Sequence, residues 1–439
     1  MNLRVLALLL RPTRGGGSVM ILPVVAFGIV SALVLTVVGG AQTFWTWTDI
    51  DATVYQGLAA IALVLLVVPL AGLGGAAARL SARRRDERLS TLRLLGVSPT
   101  GVVVATVLES VVVAAIGAVA GVLAYLALSP AIGLIPFRGE ALGWTGVLLP
   151  VWIIGLVVLG ILMLAAISAV IGLRRVVISP LGVRTRTDVP KMHWMRAVIA
   201  LLVVAAAFVA MQVFPGIGGA VVTILVVAGL FAAGLAVLNL IGPWAVAVQA
   251  RGQLRRAARP HQLLAARLVL ESPKAAWRQI SGITMASFVA VFAGTGVAVM
   301  DTMSASTDPA GLALMVDIRT GLIITLIGSF LMVAAAVGVN QAAEILDQRD
   351  LHRSLHRLGM PLQTLDSARI RSVMSPLLLT TIGAALCAAV LIFPLLGIAL
   401  IVAPISVATI LLVIAVGIAL VWASTRVTRP ILARSFVEA

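Results

Sequence analysis

Residues 101–128 read GVVVATVLESVVVAAIGAVAGVLAYLAL, and Glu109 is the one Asp, Glu, Lys or Arg among them. Roughly 20 apolar residues of helix are enough to cross the hydrocarbon core of a bilayer. Because this stretch exceeds that length, it predicts a transmembrane helix. The fold class follows from how often the chain repeats the pattern.

Ten apolar runs of this kind alternate with short polar breaks, which predicts an all-α polytopic membrane protein with about ten transmembrane helices. They lie near residues 18–40, 55–79, 101–128, 147–173, 197–214, 219–249, 282–300, 318–341, 373–393 and 398–423. Only residues 214–219 separate the fifth and sixth runs, and only residues 393–397 separate the ninth and tenth. Each of these two pairs is also compatible with a re-entrant hairpin.

The composition excludes a water-soluble enzyme. Of the 439 residues, 61% are hydrophobic and 11% are charged, and the mean hydropathy is +1.15, which lies outside the range of soluble domains. The net charge of +16 fits either a nucleic-acid partner or the basic loops of a membrane protein. Aromatic residues make up only 5%, too few to stack many bases, so we expect no nucleic-acid partner. The single cysteine, Cys387, excludes an intrachain disulfide.

The placement of charge predicts the orientation of the ten spans, because basic residues in short loops stay cytoplasmic. With a cytoplasmic N-terminus, 30 of the 32 basic residues fall on the inner side, and only Arg138 and Arg319 fall outside. The outer loops then carry a net charge of about −4 and the inner segments about +21. This pattern places both termini in the cytoplasm.

The chain contains an internal repeat, centred on two basic segments that follow the second and eighth spans. Aligning Leu95-Gly96 with Leu358-Gly359 also matches further positions along the two copies. These are Glu87 with Asp350, Leu92 with Leu355 and Arg93 with His356. Both segments then enter spans that carry Ile-Gly-Ala, at 116–118 in the first copy and, with a shift of three residues, at 382–384 in the second. Spans 1–4 therefore look duplicated as spans 7–10. We predict a first repeat over residues 1–196, a linker pair of spans over 197–250 and a second repeat over 251–439.

The two repeated segments have the periodicity of amphipathic helices. Leucines form one stripe in each, and Arg and acidic residues occupy the remaining positions. The stripes are Leu89, Leu92 and Leu95 in the first copy, and Leu351, Leu355 and Leu358 in the second. Gly96 and Gly359 stand where a C-terminal cap belongs. Such helices either lie on anionic lipid or dock a soluble partner, and their duplication favours a symmetric partner.

At these residues the sequence resembles the FtsX-like permease family, the membrane subunits of MacB/LolC/BceB-type ABC transporters. The first repeat carries the family pattern of an acidic residue, a Leu-Arg-x-Leu-Gly run, and a span with a glutamate and spaced glycines. The matching residues are Glu87, Leu92-Arg93-Leu94-Leu95-Gly96, Glu109, Gly117 and Gly121, followed by Ser179-Pro180-Leu181 after the fourth span. Ten spans in two repeats look most like the BceB arrangement. The loops at 41–54 and 301–317 are too short for the large extracytoplasmic domain that family members usually carry.

The resemblance implies a separate ABC ATPase, in two copies, that binds ATP and Mg²⁺. This chain is not expected to be an enzyme, because neither of its two lysines, Lys191 and Lys274, belongs to a P-loop. The resemblance also implies which residues couple to the ATPase. In the first segment they are Asp86, Glu87, Leu89, Leu92, Arg93, Leu95 and Gly96, and in the second Asp350, Leu351, Leu355, His356, Leu358 and Gly359.

Glu109 is the only acidic residue that the predicted span boundaries place inside a span, and buried ionisable groups in spans invite a functional interpretation. Three roles stay open: an ion pair or hydrogen bond with Arg79 or Arg88, coupling to the ATPase, and the handling of substrate or protons. No metal site is expected, because His352 and His356 have no third ligand. Gly117 and Gly121 predict close packing between helices.

The function expected from these observations is the export or extraction of an amphipathic or hydrophobic substrate, such as an antibiotic, an antimicrobial peptide or a lipid, across a bacterial plasma membrane. One alternative is a mechanical signalling subunit that controls a cell-wall hydrolase or a sensor kinase. That role needs an outer handle, for which the chain offers Trp45, Trp47, Asp49, Asp51 and the 301–317 loop. The other alternative is an ATP-independent secondary transporter, which the scarcity of protonatable residues in the spans disfavours.

Overall fold

A computed structural model describes most of the chain. The described residues are 17–49, 52–83, 99–178, 219–303, 309–348, 354–355 and 357–430, together with single residues at 195, 198, 202, 203, 205, 206, 209, 351 and 432. Nearly all of them are helical, and one two-stranded hairpin is present among them. The protein is an all-α polytopic membrane protein.

The first half of the chain contains four long helices and a short hairpin. Helix α1 spans Gly17–Gln42 and continues into a 3₁₀ turn, Thr43–Thr46; α2 spans Ala52–Arg83, α3 Pro99–Gly133 and α5 Val151–Ile178. Strands β1, Pro136–Phe137, and β2, Glu140–Ala141, and the short helix α4, Trp144–Val147, connect α3 to α5. The hairpin turns at Arg138 and Gly139, which both have positive φ, as a two-residue β-hairpin loop requires.

The second half contains five long helices and two short ones. Its long helices are α6, Gly219–Arg255; α8, Pro273–Met303; α9, Pro309–Asp347; α10, Leu362–Leu391; and α12, Pro404–Val427. The short helices are α7, Pro260–Glu271, and α11, Phe393–Val402.

Eight of these helices are long and apolar enough to cross a membrane. Helix α2 makes a ninth if its two parts, Ala52–Val67 and Pro69–Ala77, form one span bent by 41°. Proline at residue 69 accounts for the bend, because it has no amide hydrogen to donate and its ring clashes with the preceding turn. The fifth predicted span, 197–214, lies largely outside the described residues, and the seven described positions between 195 and 209 are helical.

The predicted break between the ninth and tenth spans is wrong in its position. The chain breaks twice, at Ile392 and at Ala403, and the second break moves the start of the last long helix from 398 to Pro404. Between the breaks lies α11, whose ten residues reach only about 15 Å, half of a hydrocarbon core of about 30 Å. Each break precedes a proline at the start of the next helix, where a proline costs no backbone hydrogen bond.

Helix α7 is an element that the sequence analysis treated as part of an inner loop. It is amphipathic, with Ala265, Ala266 and Val269 buried, and it packs against α6 and α10. At 12 residues it is too short to register as a span. Because its apolar stripe is made partly of alanine, the mean hydropathy of this stretch does not reveal it.

In the first half, α1 and α3 form the most extensive helix pair. Gly117 and Gly121 of α3 face α1 so closely that a Cβ atom at Gly121 would lie 2.4 Å from the Cβ of Ser31 and 2.6 Å from the carbonyl oxygen of Gly28. This approach confirms the predicted packing role of the two glycines, because only a residue without a Cβ fits there. Helix α5 packs against both α3 and α2.

In the second half, α8 is the central helix, and 78% of its apolar window is buried. It packs most extensively against α10 and also against α6, α11 and α12. The α8–α10 contact includes a hydrogen bond of 2.9 Å between the buried hydroxyls of Thr284 and Thr380. The helices at the first and third spans of each predicted repeat therefore form the closest pair in both halves.

The described residues group into two compact units. One comprises Met1–Thr187 with Gly338–Arg349, and the other comprises Asp188–Val337 with Asp350–Ala439. The threefold division at residues 196 and 250 stays a prediction, as do the count of ten spans and the cytoplasmic placement of the termini.

Candidate functional site

The first predicted coupling segment lies outside the described residues. This holds for Asp86, Glu87, Leu89, Leu92, Arg93, Leu95 and Gly96, and also for Asp350 and His356 of the second segment. The structure therefore bears on the second segment through Leu351, Leu355, Leu358 and Gly359.

The described part of the second segment is a helical turn that ends at Gly359. Gly359 has φ +87°, and the amide of Met360 donates to the carbonyl of Leu355 over 3.0 Å. This is the hydrogen bond of a Schellman cap, in which a glycine takes the left-handed position. The cap that the sequence predicts at Gly359 is thus present.

Two leucines of this segment lie at the surface. Leu358 is 83% exposed and Leu351 is 50% exposed, whereas Leu355 is partly buried. Basic and acidic residues surround them in the sequence from Arg349 to Arg357, so the segment is too polar to lie in hydrocarbon. An exposed leucine in polar surroundings is a place where a partner protein can bury apolar area.

A buried ion pair fixes the helix that follows the segment. Arg369 Nη2 donates to Asp366 Oδ1 and to the carbonyl of Thr425, each over 2.9 Å, and Nη1 donates to the hydroxyl of Thr428. Asp366 and Arg369 are 6% and 7% exposed, and Arg429 Nε lies 3.6 Å from the other carboxylate oxygen of Asp366. We call these residues, which lie where α10 and α12 are predicted to face the cytoplasm, the inner clasp. It ties the first turns of α10 to the last turn of α12.

The inner clasp is not predicted from the sequence. The sequence feature that could have indicated it is the i, i+3 spacing of Asp366 and Arg369. By itself, this spacing indicates only a weak ion pair on a helix surface. Its burial depends on Thr425 and Thr428, which lie more than 50 residues away in the chain. That contact is a product of tertiary packing.

Glu109 lies on α3, half-buried, between the buried residues Thr106 and Ser110. Other helices that carry candidate spans also contain acidic residues, so whether Glu109 is the one acid within the membrane stays a prediction. Asp317 and Glu344 lie within the candidate span Ala313–Ile345, and Asp366 lies within Leu362–Leu391. The reason is that α9 and α10 extend beyond the apolar runs into polar sequence. The ion-pair partners predicted for Glu109 are Arg79 and Arg88. Arg88 and the side chain of Arg79 lie outside the described part of the chain, so the predicted ion pair stays a prediction.

The end of the first unit that is predicted to face outward carries an aromatic cluster closed by one arginine. The ring of Phe44 lies 5.2 Å from Trp47, 6.1 Å from Tyr55 and 5.1 Å from Phe137, measured between centroids. The guanidinium of Arg138 stands 4.1 Å from the Trp47 centroid and 4.7 Å from that of Tyr55. We call these five residues the outer cap. It joins the chain after α1, the start of α2 and the β-hairpin.

Charge and strain are both concentrated at Arg138. Its Nη1 atom lies 2.8 Å from Asp49 Oδ2. Partial burial acts to lower the pKa of the guanidinium, but hydrogen bonds to Asp49 and Tyr55 outweigh that effect and raise the pKa. The residue has φ +56°, a region that non-glycine residues seldom adopt. The cation–π contacts and the ion pair offset the cost of that conformation.

The outer cap uses two of the residues that the sequence offered as an outer handle. Trp47 is a member of the cap, and Asp49 pairs with its Arg138, whereas Trp45 is 49% exposed beside it. Asp51 lies outside the described residues. The 301–317 loop is shorter than expected, because α8 continues to Met303 and α9 begins at Pro309. Sequence analysis missed Tyr55, Phe137 and Arg138, which have no shared spacing that would reveal the cluster.

Replacing Arg138 with alanine is expected to lower the free energy of unfolding by about 1 kcal/mol. The reason is that a partly exposed ion pair contributes up to about 1 kcal/mol and an exposed cation–π contact about as much, while alanine keeps the unfavourable positive φ. A double-mutant cycle with Asp49→Ala, followed by thermal melting in detergent at low and high salt, measures the pair term. A coupling that does not weaken in high salt would contradict its electrostatic origin.

Comparisons with protein-family models and with curated proteins identify no family for this chain. No protein-family model matches it, and no curated protein matches it significantly. Within the described residues, no three His, Cys, Asp or Glu side chains lie together as metal ligands would. The features that carry functional information are therefore the capped segment at 351–359, the inner clasp and the outer cap.

Proposed function

We propose that this chain is the permease subunit of an ABC transporter of the FtsX-like type. It would couple ATP hydrolysis on a separate ATPase to the export or extraction of an amphipathic or hydrophobic substrate across a bacterial plasma membrane. The observation that carries the proposal is the duplicated Leu-Gly segment. Its described copy presents Leu358 at 83% exposure, next to the capping Gly359.

The structure supports a path by which force on this segment reaches the membrane. Gly359 stops the helical turn, and three residues later, at Leu362, α10 begins. The inner clasp then joins α10 to α12, and α10 packs along α8. A partner that displaces Leu358 would therefore move the inner ends of α10 and α12 together rather than bend a loop.

ATP chemistry belongs to the partner in this proposal. The chain has no P-loop, so the ATP and Mg²⁺ that drive the cycle would be bound by the ATPase, in two copies if each repeat docks one. The chain's own contribution is mechanical. It converts the approach of two ATPases into motion of membrane helices.

The outer surface of the spans favours a substrate that comes from the bilayer. The exposed faces of α3 and α5 are apolar, with Leu123, Trp152 and Leu156 more than half exposed. The described connections at the outer side are short: residues 43–49 and the hairpin region 134–150. Antibiotics, antimicrobial peptides and lipids are the substrate classes that fit lateral access.

The proposal predicts that Leu358→Asp lowers retention of the ATPase about tenfold. A carboxylate in a buried leucine contact would cost at least the 1.4 kcal/mol that corresponds to this factor. The measurement is the amount of ABC ATPase that co-purifies with the tagged full chain from the membranes of its own host, together with the ATPase rate of the complex. Because Leu358 is exposed, the substitution leaves the fold of the permease intact.

The matched control is Leu263→Asp. Leu263 is 49% exposed on α7, on the same predicted side of the membrane, but it lies outside the repeated segments. Equal retention of the ATPase by the Leu358 variant and the unmodified chain would overturn the proposal, as would a purified chain with no associated ATPase that still transports. The latter result would instead identify a secondary transporter.

The outer cap favours one second candidate, a mechanical signalling subunit. Its cluster of packed rings holds Trp45 at the surface with 49% exposure, a place where an outer hydrolase or the sensor domain of a kinase could dock. This function shares the ATPase partner but not the substrate. A complex that keeps ATPase coupling, transports no amphiphile and loses kinase or hydrolase activation in Trp45→Ala would support it over export.

A further inference from the structure

The second unit contains a cleft between α6 and α10 that the proposed transport function does not use. Its volume is about 460 Å³, and its lining is Gln249, Arg371, Met374, Ser375, Leu378 and Leu379. Two hydrogen bonds bridge its base, from Gln249 Nε2 to the carbonyl of Ser375 over 2.9 Å and to its hydroxyl over 3.1 Å. The two helices are thus held together at one level, and the cleft opens beside that bridge.

The hydroxyl proton of Ser375 is available for a further hydrogen bond. Its Oγ accepts from both Gln249 and Gln253, which uses the two lone pairs of a hydroxyl. The hydroxyl proton is therefore the free group, and it can donate to a third partner. Arg371 is exposed one helical turn away on the same helix, so a guanidinium and a hydroxyl donor lie on one side of the cleft.

The cleft changes from polar to apolar along its length. Arg371, Ser375 and the pair Leu378–Leu379 are spaced by one and two turns, so they share one face of α10 and cover about 12 Å. Leu378 and Leu379 are 41% and 42% exposed. Gln249 and Arg371 stand where the apolar runs of α6 and α10 give way to charged sequence, which is the level of lipid headgroups.

The charge around the cleft is of one sign. Residues 249–259 and 371–379 include five arginines and no aspartate or glutamate. Guanidinium groups bind phosphate through paired, charge-assisted hydrogen bonds. Basic pockets of this kind between transmembrane helices suit the headgroups of anionic lipids.

We propose that this cleft binds one anionic phospholipid. Its phosphate is held by Arg371 and the hydroxyl of Ser375, and an acyl chain lies along Met374, Leu378 and Leu379. The arginines at the end of α6 add the preference for a net negative headgroup over a zwitterionic one. The proposal does not depend on the transport function or on which side of the membrane the cleft faces.

The test is native mass spectrometry of the full chain in detergent, titrated with dioleoyl-phosphatidylglycerol or dioleoyl-phosphatidylcholine. We expect Arg371→Ala to weaken the binding of both lipids about tenfold, because both carry the phosphate that Arg371 holds and a charge-assisted contact is lost, while phosphatidylglycerol stays the tighter of the two. The matched control is Arg278→Ala, which removes the same charge from an exposed site on α8. An equal loss in both variants would overturn the proposal, because it would indicate diffuse surface charge.

A second variant tests the apolar half of the cleft without changing its charge. Leu379→Trp fills the space beside Met374 and is expected to weaken phosphatidylglycerol binding several-fold, while the variant elutes as the unmodified protein does on gel filtration. Unchanged binding would contradict an acyl chain at this place. Glycerol phosphate, added as a competitor, separates a lipid site from a phosphate site: competition at the concentration of the lipid itself would overturn the lipid assignment.

Discussion

Gly121→Ala is expected to lower the free energy of unfolding by about 3 kcal/mol, the upper part of the range for overpacking a close contact. The new methyl group would lie 2.4 Å from the Cβ of Ser31 and 2.6 Å from the carbonyl oxygen of Gly28. Both atoms are fixed by the backbone of α1, so neither can rotate away. Alanine favours helix over glycine by about 1 kcal/mol, which is too little to offset the clash. Thermal melting of the purified chain in detergent measures the result.

The internal repeat supplies the control. Gly383 occupies the position equivalent to Gly117, in the same Ile-Gly-Ala sequence, yet no atom lies within 4 Å of where its Cβ would be. Gly383→Ala should therefore keep or slightly raise the melting temperature, while Gly117→Ala lowers it together with Gly121→Ala. Equal destabilisation at Gly117 and Gly383 would mean that the two repeats pack alike, contrary to the structure.

Arg369→Ala is expected to destabilise the protein by about 3–5 kcal/mol, the cost of breaking a buried ion pair by removing one partner. The substitution leaves the carboxylate of Asp366 at 6% exposure, with only the half-exposed Arg429 at 3.6 Å. It also removes the donor to the carbonyl of Thr425. The inner ends of α10 and α12 would separate, and the melting temperature in detergent should fall accordingly.

Two further variants separate the buried pair from charge in general. Arg371→Ala removes an exposed arginine two residues along the same helix and should change stability by no more than about 0.5 kcal/mol. The double variant Asp366→Leu/Arg369→Met replaces both charges with apolar groups and should recover most of the loss, since such replacement is often neutral. If Arg369→Ala melts like Arg371→Ala, the inner clasp does not stabilise the fold.

The spans were largely predictable because one physical requirement governs them. A bilayer core demands about 20 apolar residues with every backbone group hydrogen-bonded internally, and runs such as 101–128 satisfy it visibly. Their ends were less predictable, since hydropathy measures transfer to lipid whereas a helix ends where its backbone bonds end. Helices α9 and α10 therefore continue through Glu344 and Asp366. The sequence predicts one break, near 393–397, whereas the chain breaks at both Ile392 and Ala403.

The candidate sites also differ in how far the sequence predicts them. The cap at Gly359 was predictable, because a left-handed C-terminal residue is a local property of the chain. The inner clasp and the outer cap were not, because each brings together residues from separate helices: Arg369 with Thr425 in one, and Trp47 with Arg138 in the other. No spacing in the sequence encodes those distances.

By itself, the sequence determined that this protein is helical and polytopic, since apolar length is a property of the chain, and it predicts an internal repeat. Only the tertiary structure decided what the duplicated residues contact. Gly117 lies against the backbone of α1 while its counterpart Gly383 faces open space. The physical reason is that a helix approaches another to the distance that all the side chains between them allow. One glycine therefore acquires a packing role only from the residues that the fold sets opposite it.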